Sequence, residues 1–224
     1  MDSTTNKVHI ISTSREPFFD RADAGRLLSR ELDRFTDAGA LILGIPRGGV
    51  VVAAEVARLL GADLDVILSR KLSAPDEPEL AIGAVAESGD CVIQEQVAST
   101  LRISPSYLTE EQERQKAEIA RRSASFRSVK QKIPLTNRPV IVVDDGIATG
   151  ATMQAALWSA RREHPRELLA AVPVGSDSAL DRIAPYADEV ICLRCPLFFY
   201  AVGEFYTHFD QTSDQEVLAI LKEF

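Results

Sequence analysis

The 224-residue sequence predicts an α/β fold. Two short apolar runs, Ala40 to Ile45 and Val140 to Val143, read as buried strands. Each is followed by a turn containing glycine and then by a helical stretch. Strand, helix and strand follow one another over short connections, and that order builds a parallel sheet. Hydrophobic residues make up 46% of the chain, enough for a full core.

Leu27, Leu28, Leu32 and Phe35 recur at helical spacing between Arg21 and Asp37, and Gly39 ends that helix. The strand Ala40 to Ile45 stops at Pro46. Val50 to Leu60 then forms a helix that ends at Gly61, and Leu64 to Leu68 forms the next strand. Pro75 to Pro78 marks a loop. Leu80 to Ala86 and Cys91 to Gln94 pair as a hairpin across Ser88, Gly89 and Asp90. Tyr107 to Phe126 is a charged, solvent-facing helix, with Thr109 and Gln112 as a capping box and Arg121 and Arg122 suiting its end. After Val140 to Val143 come a helix from about Ala151 to Arg162, strands at Leu168 to Val174 and Glu189 to Leu193, and a short helix between those strands. Ser213 and Glu216 cap a final helix over Ser213 to Lys222.

Composition narrows the function. A net charge of −8 repels nucleic acid and anionic membrane, so neither is expected as a partner. A local nest of backbone N–H groups can still bind phosphate in an acidic chain. Three cysteines are too few for a disulfide framework. No signal-peptide pattern or membrane-length apolar run is present, and a cytoplasmic location is the expectation.

The chemistry concentrates in Val140 to Met153, VIVVDDGIATGATM. Four β-branched residues deliver the chain to the carboxyl edge of the sheet, where open α/β proteins bind ligands. Asp144 and Asp145 follow. Adjacent carboxylates repel one another, and a vicinal diol is a natural donor to both. Gly146 and Gly150 permit tight turning, Thr149 and Thr152 add hydroxyls, and the helix start presents free N–H groups to an anion. A second segment, Gly44 to Gly49, repeats the strand–turn–helix pattern, with Arg47, Gly48 and Gly49 as another anion nest. Neither the dinucleotide G-x-G-x-x-G nor the P-loop pattern occurs.

The Val140 to Met153 segment resembles the binding signature for 5-phosphoribosyl 1-pyrophosphate (PRPP) of type I phosphoribosyltransferases. Further similarity to a poorly characterised bacterial group of predicted phosphoribosyltransferases runs from about Phe18 to the end, through GIPRGGV, RKL, PELAIGAVAE and FYAVGEFYTHF. The resemblance implies a parallel sheet flanked by helices, with a hairpin or hood and a C-terminal extension. It implies one domain over residues 1–224, with a core of about 20–194 and a hood from about 72–130 and 195–224. Asp144 and Asp145 would hold the ribose hydroxyls. Gly146, Ile147, Ala148, Thr149, Gly150 and Thr152 would cradle the 5-phosphate, and Arg47, Gly48 and Gly49 the pyrophosphate, in a loop that often contains a cis peptide. Lys71, placed at the end of the second strand, would assist at the pyrophosphate. Pro75 to Asp90 would form the mobile hood.

By the same resemblance the reaction transfers 5-phosphoribose from PRPP to a nitrogenous acceptor and releases pyrophosphate. Mg2+ would accompany the pyrophosphate, held largely by ligand oxygens and water with few dedicated protein ligands, none of them assigned. The alternative is a PRPP- or nucleotide-binding sensor. Family members are often homodimers. Hypoxanthine-guanine members carry an acid where this chain has Ala148, which argues against a 6-oxopurine acceptor and leaves the catalytic acid or base unassigned. Phe198, Phe199 and Tyr200 are candidates to stack on an acceptor ring, with a core or dimer role as the competing reading. Cys192 and Cys195 form a lone C-x-x-C, for which a plain structural role is favoured over redox or zinc. His9, His164 and His208 are read as surface or core residues.

Overall fold

The computed structural model describes residues 7–75, 77 and 80–224. Its larger sheet contains β1 (Val8–Ser12), β2 (Leu41–Gly44), β3 (Asp63–Val66), β7 (Pro139–Val143), β8 (Glu167–Val174) and β9 (Glu189–Arg194). All pairings are parallel, in the order β1-β9-β8-β7-β2-β3. Both faces are covered, so the central strands are apolar throughout rather than alternating. Ile42, Ile141, Val143 and Leu169 pack with α1 (Arg21–Arg30) and α2 (Gly48–Leu60). Leu41, Leu43, Val140, Val142, Leu168 and Ala170 pack on the other side with α5 (Ala151–Arg161) and α6 (Asp177–Ile183). The two sets alternate along each strand, as the pleat requires.

The order of the strands positions the site. β2 and β7 are neighbours, with Gly44 opposite Val143, and Ile45 N–H continues the ladder to Val143 O at 2.9 Å. Gly44 to Gly49 and Asp144 to Thr152 therefore leave the same sheet edge side by side.

Several elements differ from expectation. β1 has no clear signal in the sequence; as an edge strand, it carries exposed Ile10 and Ile11 without a clean alternation. The first helix stops at Arg30, and a short 3-10 turn at Asp33–Phe35 buries Leu32 and Phe35 in place of continued helix. The second strand ends at Val66, and a separate antiparallel sheet begins at β4 (Ser69–Ser73), followed by β5 (Ala81–Ala86) and β6 (Cys91–Ile93). Lys71 thus lies within β4, opposite Ala84, and not at the end of the second strand. The expected hairpin is the β5–β6 pair, with Gly89 at φ 86° in its turn. Asp76, Pro78 and Glu79 of the expected loop and hood lie outside the described residues.

A short helix, α3 (Glu95–Thr100), precedes α4 (Pro105–Arg127). α4 starts earlier than predicted because Ser104 is its N-cap, accepting from Tyr107 N–H at 3.2 Å, with Pro105 in the first turn. Thr109 instead donates back to Pro105 O. Nor is this helix only a solvated face: Glu111, Gln115, Ile119 and Phe126 form a buried stripe. Arg127 anchors its end, bonding Asp65 Oδ1 of β3 at 2.7 Å and Glu87 Oε1 beyond β5 at 2.7 Å. At the C-terminal end, α7 (Asp214–Leu221) carries the predicted Ser213–Glu216 capping box with both reciprocal bonds. Among the described residues no helix is long and apolar enough to cross a membrane.

Candidate functional site

The two loops meet in direct contact. A methyl group built on Gly48 would stand 2.0 Å from Asp145 Oδ2, and one on Gly49 would stand 2.8 Å from Asp144 Oδ1. Any side chain at either position would displace the acidic pair. Both glycines lie in the first turn of α2, and the Pro46–Arg47 peptide before them is cis. The Gly48–Gly49 turn and the paired carboxylates are therefore one surface.

Asp144 and Asp145 have different environments. Desolvation, reinforced by the neighbouring Asp145 charge, holds the Asp144 carboxyl well above the usual carboxylate range. Asp145 is tied in place. Its Oδ2 accepts from Arg21 Nε at 2.7 Å, and its carbonyl accepts from the Tyr206 hydroxyl at 2.5 Å. Arg21 also donates to Asp210 O, and its guanidinium lies 3.9 Å from the centre of the Phe209 ring, which stacks on Tyr206. Burial, with the Asp145 charge, raises the Tyr206 phenol well above its ordinary value. Sequence reasoning missed Arg21, Tyr206 and Phe209. Arg21 and Asp145 are separated by 124 positions, and no local pattern links them.

The loop after the acids divides into shaping and exposed residues. Ile147 is buried, its N–H donates to Val174 O at 2.9 Å, and its carbonyl accepts from Ser176 N–H at 3.1 Å. It shapes the loop and has no amide left for a phosphate, contrary to the expectation. Gly146 presses on Val202, where a methyl would come within 2.6 Å of a side-chain carbon, and Gly150 takes φ 73° as the N-cap of α5. Ala148 and Thr149 are exposed. Ser176 Oγ donates to Ala148 O at 2.7 Å, holding the loop to the start of α6.

Beside these loops opens a cleft of about 450 Å³, lined by Pro46, Arg70, Lys71, Gln115, Arg122 and Thr152 among others. It joins the flank of one loop to the start of α5. Arg114 adds a fourth cation, and among the described residues no carboxylate lines it. Lys71 is thus brought to the cleft, whereas Arg47 lines a neighbouring cavity of about 310 Å³, shared with Arg21, Gly48 and Phe209.

A family profile described as "Phosphoribosyl transferase domain" matches residues 21–209, spanning both loops and the cleft. The chain belongs to the phosphoribosyl transferase family. Two Mycobacterium tuberculosis proteins, from strains CDC 1551 and H37Rv, each named "Putative phosphoribosyl transferase", are 46% identical to it over 204 residues. That alignment covers 91% of this chain and 46% of each relative, so the chain spans about half the length of the curated relatives it matches. The crystal structure of TT1426 from Thermus thermophilus superposes with a TM-score of 0.87 at 45% identity, covering 92% of this chain and 98% of that one. The parallel sheet flanked by helices is the phosphoribosyltransferase fold the resemblance implied.

The other candidates are dispersed. Phe199 stacks on Phe205 with centroids 5.2 Å apart and belongs to the core, whereas Phe198 and Tyr200 are 63% and 77% exposed. Cys192 and Cys195 are buried free thiols, and burial pushes Cys192 up to about 12. His9 meets Glu189, His164 sits in a left-handed turn, and His208 packs edge-on against Phe19. Among the described residues no group of three or more His, Cys, Asp or Glu could hold a metal ion.

Proposed function

We propose that this chain binds PRPP and transfers its 5-phosphoribosyl group to a nitrogenous acceptor, releasing pyrophosphate. The observation that carries the reading is the contact of Gly48 and Gly49 with the Asp145 and Asp144 carboxylates. It sets a diol-binding pair directly against an anion-binding helix start. In this reading Asp144 and Asp145 accept from the ribose hydroxyls. The backbone of Gly146 to Gly150, with Thr149 and Thr152, receives the 5-phosphate while Ile147 shapes the turn. Gly48, Gly49 and Lys71 stabilise the departing pyrophosphate, with Arg47 charging the adjoining cavity. Catalysis then rests on positioning and on charge already in place as the glycosidic bond breaks.

Mg2+ fits this donor set as a companion of the substrate. Among the described residues no carboxylate lines the cleft, so the ion would ride on pyrophosphate oxygens and water, with Asp144 and Asp145 as the carboxylates within the assigned site. Bound there, it would neutralise the leaving group. An acceptor ring would find exposed aromatic faces at Phe198 and Tyr200, on the segment whose Val202 touches Gly146. Ala148 stands where hypoxanthine-guanine enzymes carry an acid, which favours acceptors other than 6-oxopurines.

The test is a pyrophosphate-release screen over nucleobases and small amines with PRPP and Mg2+. Turnover with any acceptor supports the transferase. A PRPP-dependent rise in melting temperature with no turnover across the panel would leave a PRPP-binding sensor. No thermal shift at millimolar PRPP would overturn the reading.

A further inference from the structure

The wall of the 450 Å³ cleft opposite the signature loops is helix α4, a segment whose sequence reads as an ordinary charged helix. Its side chains form a connected series. Arg114 donates to Glu111 through Nε at 2.8 Å, and Glu111 Oε1 accepts from Gln115 Nε2 at 2.9 Å. Gln115 Oε1 in turn accepts from Arg70 Nε at 2.9 Å. Glu111 and Gln115 are only 4% and 8% exposed. Both polar atoms of the Gln115 amide are therefore engaged, one on Glu111 and the other on an arginine of β4.

That arrangement has a chemical consequence. Among the described residues the hydrogen-bond partner of the Arg70 guanidinium is a neutral amide oxygen, while the Glu118 carboxylate acts on Arg70 and Arg122 only through space. The bond is made through Nε, which leaves the terminal nitrogens of the fork for another acceptor. Arg122, two turns along α4 from Gln115, lines the same cleft at 23% exposure, with Asp214 no closer than 3.9 Å. Three guanidiniums line one cleft with Lys71, of which Arg114 is engaged by Glu111, and with no carboxylate among the described lining residues Arg70, Arg122 and Lys71 are complementary to a compact polyanion. The planar forks of arginine suit phosphate oxygens better than point charges do.

We propose that α4 is part of the donor site: Arg122 contacts the pyrophosphate of PRPP directly, and Gln115 is a positioning residue that holds Arg70 ready for the same group. The inference rests on the PRPP reading above. It adds a recognition element from outside both signature loops, carried on a helix fastened to the sheets by Arg127.

Binding of three probes to the whole chain tests this: PRPP with Mg2+, inorganic pyrophosphate with Mg2+, and ribose 5-phosphate, which lacks the pyrophosphate. Arg122→Ala should weaken PRPP and pyrophosphate about tenfold or more, the size of one charge-assisted hydrogen bond. Ribose 5-phosphate affinity should stay within about twofold on the same argument. Gln115→Ala should weaken pyrophosphate in the wild-type background and have no further effect in Arg70→Ala, a non-additivity that a merely structural role would not produce. Equal loss for all three probes, additive effects of Gln115→Ala and Arg70→Ala, or unchanged pyrophosphate affinity in Arg122→Ala would each overturn the proposal. If wild type binds pyrophosphate in an Arg122-dependent way but ignores PRPP, the anion site on α4 stands and the PRPP reading falls.

Discussion

Arg21 Nε lies 2.7 Å from Asp145 Oδ2, and the two side chains are only 12% and 16% exposed. This ion pair ties the start of α1 to the acid proposed to hold ribose, and the same guanidinium covers the Phe209 ring. Because Oδ2 is committed to Arg21, the Asp145 carboxylate is held in one orientation. Arg21→Met should therefore weaken PRPP binding about tenfold, in line with loss of a charge-assisted bond. Isothermal titration checks it; tighter binding in the variant would mean that Arg21 competes with the ligand instead of orienting Asp145.

Gly48→Ala places a methyl group 2.0 Å from Asp145 Oδ2. The carboxylate must move, while α2 itself tolerates alanine well. We expect a folded protein that has lost most of its PRPP-dependent thermal stabilisation, read by scanning fluorimetry with and without ligand. A wild-type response would separate the glycine from the site.

Asp145→Asn keeps the shape of the side chain but removes the charge that accepts from Arg21 and, in the proposed reading, from a ribose hydroxyl. The thermal shift with PRPP should vanish while the circular dichroism spectrum is retained. An unchanged shift would sink the diol-binding role.

Glu87 joins Arg127 through two bonds of 2.7 and 2.8 Å, and Ser123 adds a third. Desolvation alone would push the Glu87 carboxyl up, but the hydrogen bonds from Arg127 and Ser123 bring it below the usual glutamate range. The folded state thus holds its proton less tightly than the unfolded chain. The stabilisation is complete above the ordinary glutamate pKa and is lost as pH falls through the lowered one. Glu87→Gln should cost about 1–2 kcal/mol near neutrality, less than a fully buried pair because the partners keep some water contact. Denaturant melts at neutral and acid pH should show the variant and wild type converging in acid.

Cys192 and Cys195 are buried, and burial raises both thiols above their ordinary value. A thiol reagent at neutral pH should label at most Cys91 in the native protein and all three after unfolding. Fast native labelling of Cys192 would show that the β9 end opens.

Much of this molecule was legible in its sequence, for a physical reason. Strand, acids, glycine turn and helix start in Val140 to Thr152 act within a few residues of one another, so spacing alone reports them. The same holds for Ser213 and Glu216, whose reciprocal cap lies within one helical turn. Where a signal was local but its neighbours were not, the reading failed in detail. Lys71 belongs to a second sheet because the chain turns away after Val66, and Ile147 spends its amide on Val174.

What the sequence determined by itself was the parallel α/β fold and the two loops, since periodicity and turn chemistry are properties of contiguous residues. Only the tertiary structure decided which distant side chains complete the site. The β2–β7 pairing presses Gly48 and Gly49 onto Asp145 and Asp144, packing brings Arg21 and Tyr206 to Asp145, and α4 lines the cleft beside Pro46 and Thr152. Such contacts follow from burying both faces of the sheet, a condition that no short stretch of sequence encodes.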